Sequence, residues 1–70
     1  MGQIQIKQIR YDAERDRLVW GDVDLHCGQG LRVLMADGEW YDVVLELDGA
    51  ERWYLPHHPG VSPIGLWAQV

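Results

Sequence analysis

The chain has 70 residues, room for one small domain and none for a separate catalytic one, since a chain of this size buries only about 60% of its unfolded surface. Eleven acidic residues stand against six scattered basic ones, a formal charge of −5, which argues against a nucleic-acid backbone as ligand. A single cysteine excludes an internal disulfide. With no signal-peptide pattern and no apolar run near the roughly 18 residues of a membrane span, the expectation is a soluble, cytoplasmic protein without a membrane partner.

In chain order, Ile4 and Ile6 alternate with Gln3, Gln5 and Lys7, which predicts a half-buried first strand. The alternation slips at Ile9 and Tyr11, so a bulge near Lys7 and Gln8, or a bend, is expected there. Residues 12–17 are charged apart from Ala13 and predict a solvated turn. Leu18, Val19 and Trp20 form a return strand, Gly21-Asp22 breaks it, and Val23 and Leu25 start a second short alternation. The stretch from His26 through Cys27 and Gly28 to Gly30 is a glycine-punctuated bend.

Residues 31–55 form the centre of the reading. Asp37-Gly38 and Asp48-Gly49 each lie between runs of β-branched, aromatic and aliphatic residues, the signature of hairpins, and predict a three-stranded antiparallel meander. Charge sets the register. A loop of Ala36, Asp37 and Gly38 places Arg32 opposite Asp42 and Leu31 opposite Val43, and a loop of Asp48, Gly49 and Ala50 places Glu46 opposite Arg52 and Leu45 opposite Trp53. Leu31, Val33, Tyr41, Val43, Leu45, Trp53 and Leu55 then face inward. Leu34, Trp40, Val44 and Tyr54 face outward among charged residues.

All three prolines fall in residues 56–63, which must be a loop. Residues 64–70 alternate Ile64, Leu66, Ala68 and Val70 against Gly65, Trp67 and Gln69, predicting a last strand with Trp67 on its less buried side. The expected fold is all-β: one domain, residues 1–70, built as a small barrel of five or six antiparallel strands around the central meander.

The candidate chemistry is sparse. His26, Cys27, His57 and His58 are metal-ligand types, but neighbours on an extended chain point to opposite sides, so too few could meet at one ion. Cys27 as a nucleophile with His26 or His57 as base is the enzymatic reading, and a thiol packed where the chain bends is the expected one. Asp12, Glu14 and Asp16 have the every-other-residue spacing of a calcium loop, but Arg17 stands where that loop needs glycine. No catalytic residue, metal or cofactor is expected. The outward aromatics Trp40, Tyr54 and Trp67 have two readings, a recognition surface or caps over the ends of a very small core. Stacking of single-stranded nucleic acid on them ranks behind, because the acidic balance offers no electrostatic funnel.

The run from Gly28 to Leu34 followed by Glu39-Trp40-Tyr41 resembles the SH3-like barrel, in which a glycine-led turn precedes a strand and an aromatic pair follows; Ile9-Arg10-Tyr11-Asp12 resembles the ALYDY stretch of SH3 domains, with Ala13 in place of its second tyrosine. That resemblance implies a peptide groove lined by Trp40 beside Tyr11, with Asp12, Glu14 and Asp16 in the loop that receives a basic ligand residue. Asp16-Arg17, Leu25-His26-Cys27-Gly28, Gly38-Glu39-Trp40, Trp53-Tyr54-Leu55 and the closing Gly65-Leu66 and Val70 resemble a small uncharacterised bacterial family of short SH3-like proteins, many encoded on mobile elements. Where that family has an arginine near its end, this chain has Gln69.

The functional expectation is a non-catalytic module that binds a protein or peptide, a basic one in particular. It would bind through Trp40, Tyr54, Leu34 and Trp67, with Tyr11 and the acidic loop of Asp12, Glu14 and Asp16 beside them. The alternative is a structural protein that forms a homodimer through the same face or through the edge of its first strand.

Overall fold

A computed structural model describes residues 3–70; Met1 and Gly2, the first two residues of the expected domain, lie outside the described residues. The chain forms eight short strands: β1 (Lys7–Asp12), β2 (Arg17–Trp20), β3 (Val23–Leu25), β4 (Gly30–Leu34), β5 (Trp40–Val44), β6 (Glu46–Leu47), β7 (Trp53–Tyr54) and β8 (Trp67–Gln69). Six make one curled antiparallel sheet, a half-barrel, in the order β3-β2-β1-β8-β4-β5, and β6 with β7 make a small second sheet. The all-β architecture and its six antiparallel strands are as the sequence predicts. Among the described residues no helix is long and apolar enough to cross a membrane.

The central strand β1 changes partner along its length. Lys7 and Gln8 pair with Ala68 and Trp67 of β8, whereas Ile9, Arg10, Tyr11 and Asp12 pair with β2. At the handover the Ile9 N–H donates to the Leu66 carbonyl at 2.8 Å and the Ile9 carbonyl accepts from the Gly65 N–H at 2.8 Å. Ile9 is wholly buried, and the slip in alternation falls at this exchange. The expected strand at Ile4 and Ile6 is not formed. Both are exposed ahead of β1, whose ladder with β8 begins at the Lys7–Ala68 pair.

The predicted inward residues Leu31, Val33, Val43, Leu45 and Leu55 are buried with Ile9, Leu18, Trp20, Leu25 and Ala68, and Tyr41 and Trp53 pack half-buried against them. Each fully buried aliphatic side chain contributes about 1.5–3 kcal/mol. Trp20 ties the two halves of the sheet together. It pairs with Ile9, and its indole Nε1–H donates to the Ala68 carbonyl on β8 at 2.8 Å, with Lys7 Nζ 4.8 Å from the ring centre on the other side.

The first meander loop is the predicted one. Met35 and Glu39 close it, Gly38 takes φ 84°, and Arg32 lies opposite Asp42 with Nε 3.2 Å from the carboxylate. The second loop is displaced by one residue. It consists of Gly49, Ala50 and Glu51, because the Asp48 carboxylate accepts the N–H groups of Ala50 (2.8 Å) and Arg52 (2.9 Å) and so closes the turn instead of opening it. Glu46 therefore faces Tyr54 and Leu47 faces Trp53, in place of the expected Arg52 and Leu45 pairings, and the Arg52 guanidinium lies 3.4 Å from Asp48. A slip of this parity leaves every side chain on its predicted face. Leu45 bonds to the bend before β4 instead, through its N–H to the Gln29 carbonyl and its carbonyl from the Gly28 N–H. There the chain passes from the large sheet into the small one.

The proline segment is a loop, and Pro56, His57 and His58 line a narrow cleft with Asp42, Val43 and Val44 of the edge strand β5, shielding it from further pairing. The last strand is shorter than predicted. Ile64 is exposed in a turn closed by the Leu66 N–H on the Pro63 carbonyl, with Gly65 at φ 97°, and Val70 is exposed beyond the final pair of Arg32 with Gln69.

Three turn aspartates make the fold acid-sensitive. The Arg15 side chain, the Tyr41 hydroxyl and the Arg52 N–H are the main groups that hold the carboxyls of Asp12, Asp37 and Asp48 below their ordinary value of 3.8. The unfolded chain takes up protons first, so this stabilisation is complete above the ordinary value and is lost as pH falls through the lowered ones. Denaturation midpoints should be level above about pH 5 and decline in acid. Asp48→Asn should remove part of that slope, measured by urea titration across the pH series.

Candidate functional site

The predicted site residues divide between two places. The first is the outer face of the large sheet. Gln8 pairs with Trp67, Leu34 pairs with Trp40, and the Val33–Ala68 pair puts Leu34 beside Trp67, so Trp67, Leu34 and Trp40 form one row across β8, β4 and β5. Their neighbours Ala68 and Val33 are buried, which directs this row to the opposite face. Trp67 is 49% exposed, and Leu34 and Trp40 are half-buried against one another's strands. None of the three belongs to the core or to the side chains packed on it, which are Met35, Tyr41, Trp53, Val61 and Leu66. The adjacent row carries Arg32, Asp42 and Gln69.

The second place is a groove of about 740 Å³ between the inner face of β1, β2 and β3 and the β6–β7 hairpin. Tyr11, Leu18 and Leu25 lie side by side on consecutive strands and line it from one side, while Leu47, Ala50, Glu51 and Trp53 line it from the other. The Tyr11 hydroxyl donates to Asp16. Its phenol is raised above the usual value, first by that hydrogen bond, then by burial, then by the charges of Asp16, Glu51 and Asp12. Asp12 is occupied by its loop. It accepts the N–H groups of Glu14 and Arg15 and pairs with the Arg15 guanidinium, which also bonds Asp24 at 2.6 Å and is itself raised by these two carboxylates.

The structure therefore separates Trp40 from Tyr11 and Asp16, which the SH3 resemblance sets beside each other. Tyr54 lies apart from the outward row, exposed on β7 opposite Glu46, because the chain leaves the large sheet at Leu45 and β7 pairs with β6 in the small one. Glu14 lies at the tip of the charged turn and lines neither place. Cys27, expected to be packed, is exposed, and its Sγ donates to Glu46 Oε2 at 3.3 Å; the bend lifts it out of the core while Leu25 fills the interior. His26 and Cys27 line the groove and His57 and His58 line the cleft by β5, so the two pairs of metal-ligand types are not brought together.

Sequence reasoning assigned Trp53 wholly to the core and left Leu47 and Glu51 without a role. The position of Glu51 emerges only from the observed loop, since the predicted loop put Ala50 in its third place. Glu51 occupies the third position of a loop whose hydrogen bonding repeats that of the first hairpin, where Gly38 stands, and its φ of 61° is the conformation that glycine adopts without cost.

No curated protein and no solved structure matches the chain. Residues 7–70, from the first residue of β1 to the end, match a family described as Domain of unknown function (DUF5348), and the chain belongs to that family.

Proposed function

We propose that the domain is a non-catalytic protein-binding module of SH3-like type, which docks a partner through the outward row of Trp67, Leu34 and Trp40. The observation that carries this reading is the division of labour among the large side chains. Met35, Tyr41, Trp53, Val61 and Leu66 cover the core, so the row is free of that task and favours a recognition surface over end caps. Rigid aromatics supply contact area at low entropic cost, and the flanking Arg32 and Asp42 give the apolar row a polar border. The SH3-like assignment rests on strand order and on the glycine-led turn before β4. An exposed free thiol at Cys27 fits a reducing cytoplasm.

Trp40→Ala and Trp67→Ala should each leave the unfolding free energy within about 0.5 kcal/mol of wild type, as expected of surface positions. Each should also abolish or weaken at least about tenfold the capture of the cellular partner, quantified by calorimetry once it is recovered by pull-down. Unchanged capture by both variants refutes this surface. A second reading, a homodimer, is favoured by Ile4 and Ile6, which are patterned as a strand yet exposed and unpaired. Sedimentation at low and high concentration separates the two, since a monomer at both removes the homodimer.

A further inference from the structure

The outer face of the large sheet carries one charge that nothing on it balances, and that charge is positive. The strands point Asp12, Asp24 and Asp42 to this face, since each alternates with an inward neighbour, Tyr11, Leu25 or Val43. All three carboxylates are held. Arg15 takes Asp12 at 3.0 Å and Asp24 at 2.6 Å, and Arg32 takes Asp42 at 3.2 Å. Asp37 and Glu39, the acidic residues nearest Trp40 in the chain, turn away from the row: Asp37 accepts from the inward Tyr41 hydroxyl, and Glu39 lies opposite Met35, which packs on the core. Arg10 is left over. It is exposed on β1, and no carboxylate holds it among the described ion pairs, whereas Lys7 stands over Trp20, Arg52 is held by Asp48 and Arg17 lines the groove. Its position is fixed by two hydrogen bonds. The Arg10 guanidinium donates to Gln8 Oε1 at 3.2 Å, and Gln8 Nε2 donates to the Gly65 carbonyl at 2.8 Å. Gln8 is the cross-strand partner of Trp67, so this relay draws the guanidinium toward the Trp67 end of the row.

We propose that the partner docked on the row is an acidic amphipathic helix of another protein, with apolar side chains on Trp67, Leu34 and Trp40 and a glutamate or aspartate on Arg10. This inference rests on the reading of the row as a recognition surface and adds the chemistry of its occupant. Charge selects an acid. A guanidinium already oriented beside an apolar platform forks a carboxylate through two donors, and it loses little freedom in doing so. The sign is the reverse of the expected basic partner, because Asp12 is held by Arg15 and Asp16 by the Tyr11 hydroxyl, apart from the row. Spacing selects a helix. The row runs across the strands, which lie about 4.8 Å apart, close to the pitch of about 5.4 Å for one helical turn. One apolar residue per turn therefore keeps step with Trp67, Leu34 and Trp40, and a residue one turn further on reaches β1 and Arg10. An extended segment advances about 6.6–6.8 Å between side chains of one face and falls out of step.

The test is a fluorescence anisotropy titration with a synthetic alanine-based helical peptide that carries leucine at three positions one turn apart and glutamate one turn beyond them at each end. A comparison peptide has lysine in place of glutamate. The glutamate peptide should bind at least about fivefold more tightly, and high salt should shrink the difference. Arg10→Glu should reverse the order of the two peptides while leaving the thermal midpoint unchanged, an outcome that a merely structural role of Arg10 would not produce. Trp67→Ala should weaken both peptides at least about tenfold. Equal binding of the two peptides, or an order that Arg10→Glu does not reverse, overturns the acidic partner; the row itself stands if Trp67→Ala still weakens both. Absence of binding also overturns the proposal, and the row is then decided by the pull-down with the Trp40 and Trp67 variants. So does a concentration-dependent dimer that the glutamate peptide dissociates, since the row then belongs to a second copy.

Discussion

Trp20→Ala is expected to cost about 3–5 kcal/mol, the range for truncating a buried tryptophan. A 70-residue domain has a total stability of about 3.5–10 kcal/mol, so the variant should be close to unfolded at room temperature. The size of the effect follows from three losses at one residue. The indole fills the interior beside Ile9, its N–H reaches past β1 to the Ala68 carbonyl, and its ring carries Lys7 on one face. Trp20→Phe separates them. It keeps most of the ring and removes the donor, so it should cost about 1–3 kcal/mol if the buried carbonyl is left short of a partner. Urea denaturation followed by circular dichroism measures both, and a Trp20→Ala midpoint equal to wild type contradicts the assignment of Trp20 to the core.

Leu45→Ala is expected to cost about 2–5 kcal/mol, and its consequence should be uneven across the molecule. Leu45 is wholly buried at the point where the chain leaves the large sheet, and its backbone holds the bend at Gly28 and Gln29. Beyond it β6 and β7 have two residues each and pair only with one another. Hydrogen exchange should therefore show the amides of β6 and β7 losing protection before those of β1 and β4, as expected of a small unit attached through few contacts. Val44→Ala is the control. Val44 is 43% exposed on the neighbouring position, and its loss should stay within about 0.5 kcal/mol. Equal destabilisation by the two variants would mean that the inward and outward faces at Val44 and Leu45 are wrongly assigned.

Much of this fold was legible because strand alternation and turn chemistry are local. The pairs Arg32 with Asp42 and Leu31 with Val43, the buried set from Leu31 to Leu55, the proline loop and the exposed Trp67 all follow from a period of two and from glycine and aspartate at the turns. The failures have local causes as well. The second turn was read from an attraction between Glu46 and Arg52, and the two backbone N–H groups captured by Asp48 outweighed it. Ile4 and Ile6 carry a strand pattern, but a pattern without a neighbouring ladder makes no strand.

The candidate surfaces were legible only in part. Trp40, Leu34 and Trp67 could be assigned to outward faces one strand at a time, but their meeting in a row depends on β8 entering between β1 and β4, a pairing of residues more than thirty positions apart in the chain. Tyr11 and Asp16 could be seen as neighbours, whereas Glu51 and Trp53 join them across the groove only because the chain turns at Leu45. The sequence by itself determined which side of its strand each residue occupies, since that is set by backbone geometry over a few residues. The tertiary structure alone decided which strands lie together and where the barrel stays open. Those depend on long-range pairing, in which the closure of long loops is weighed against the burial of the whole core.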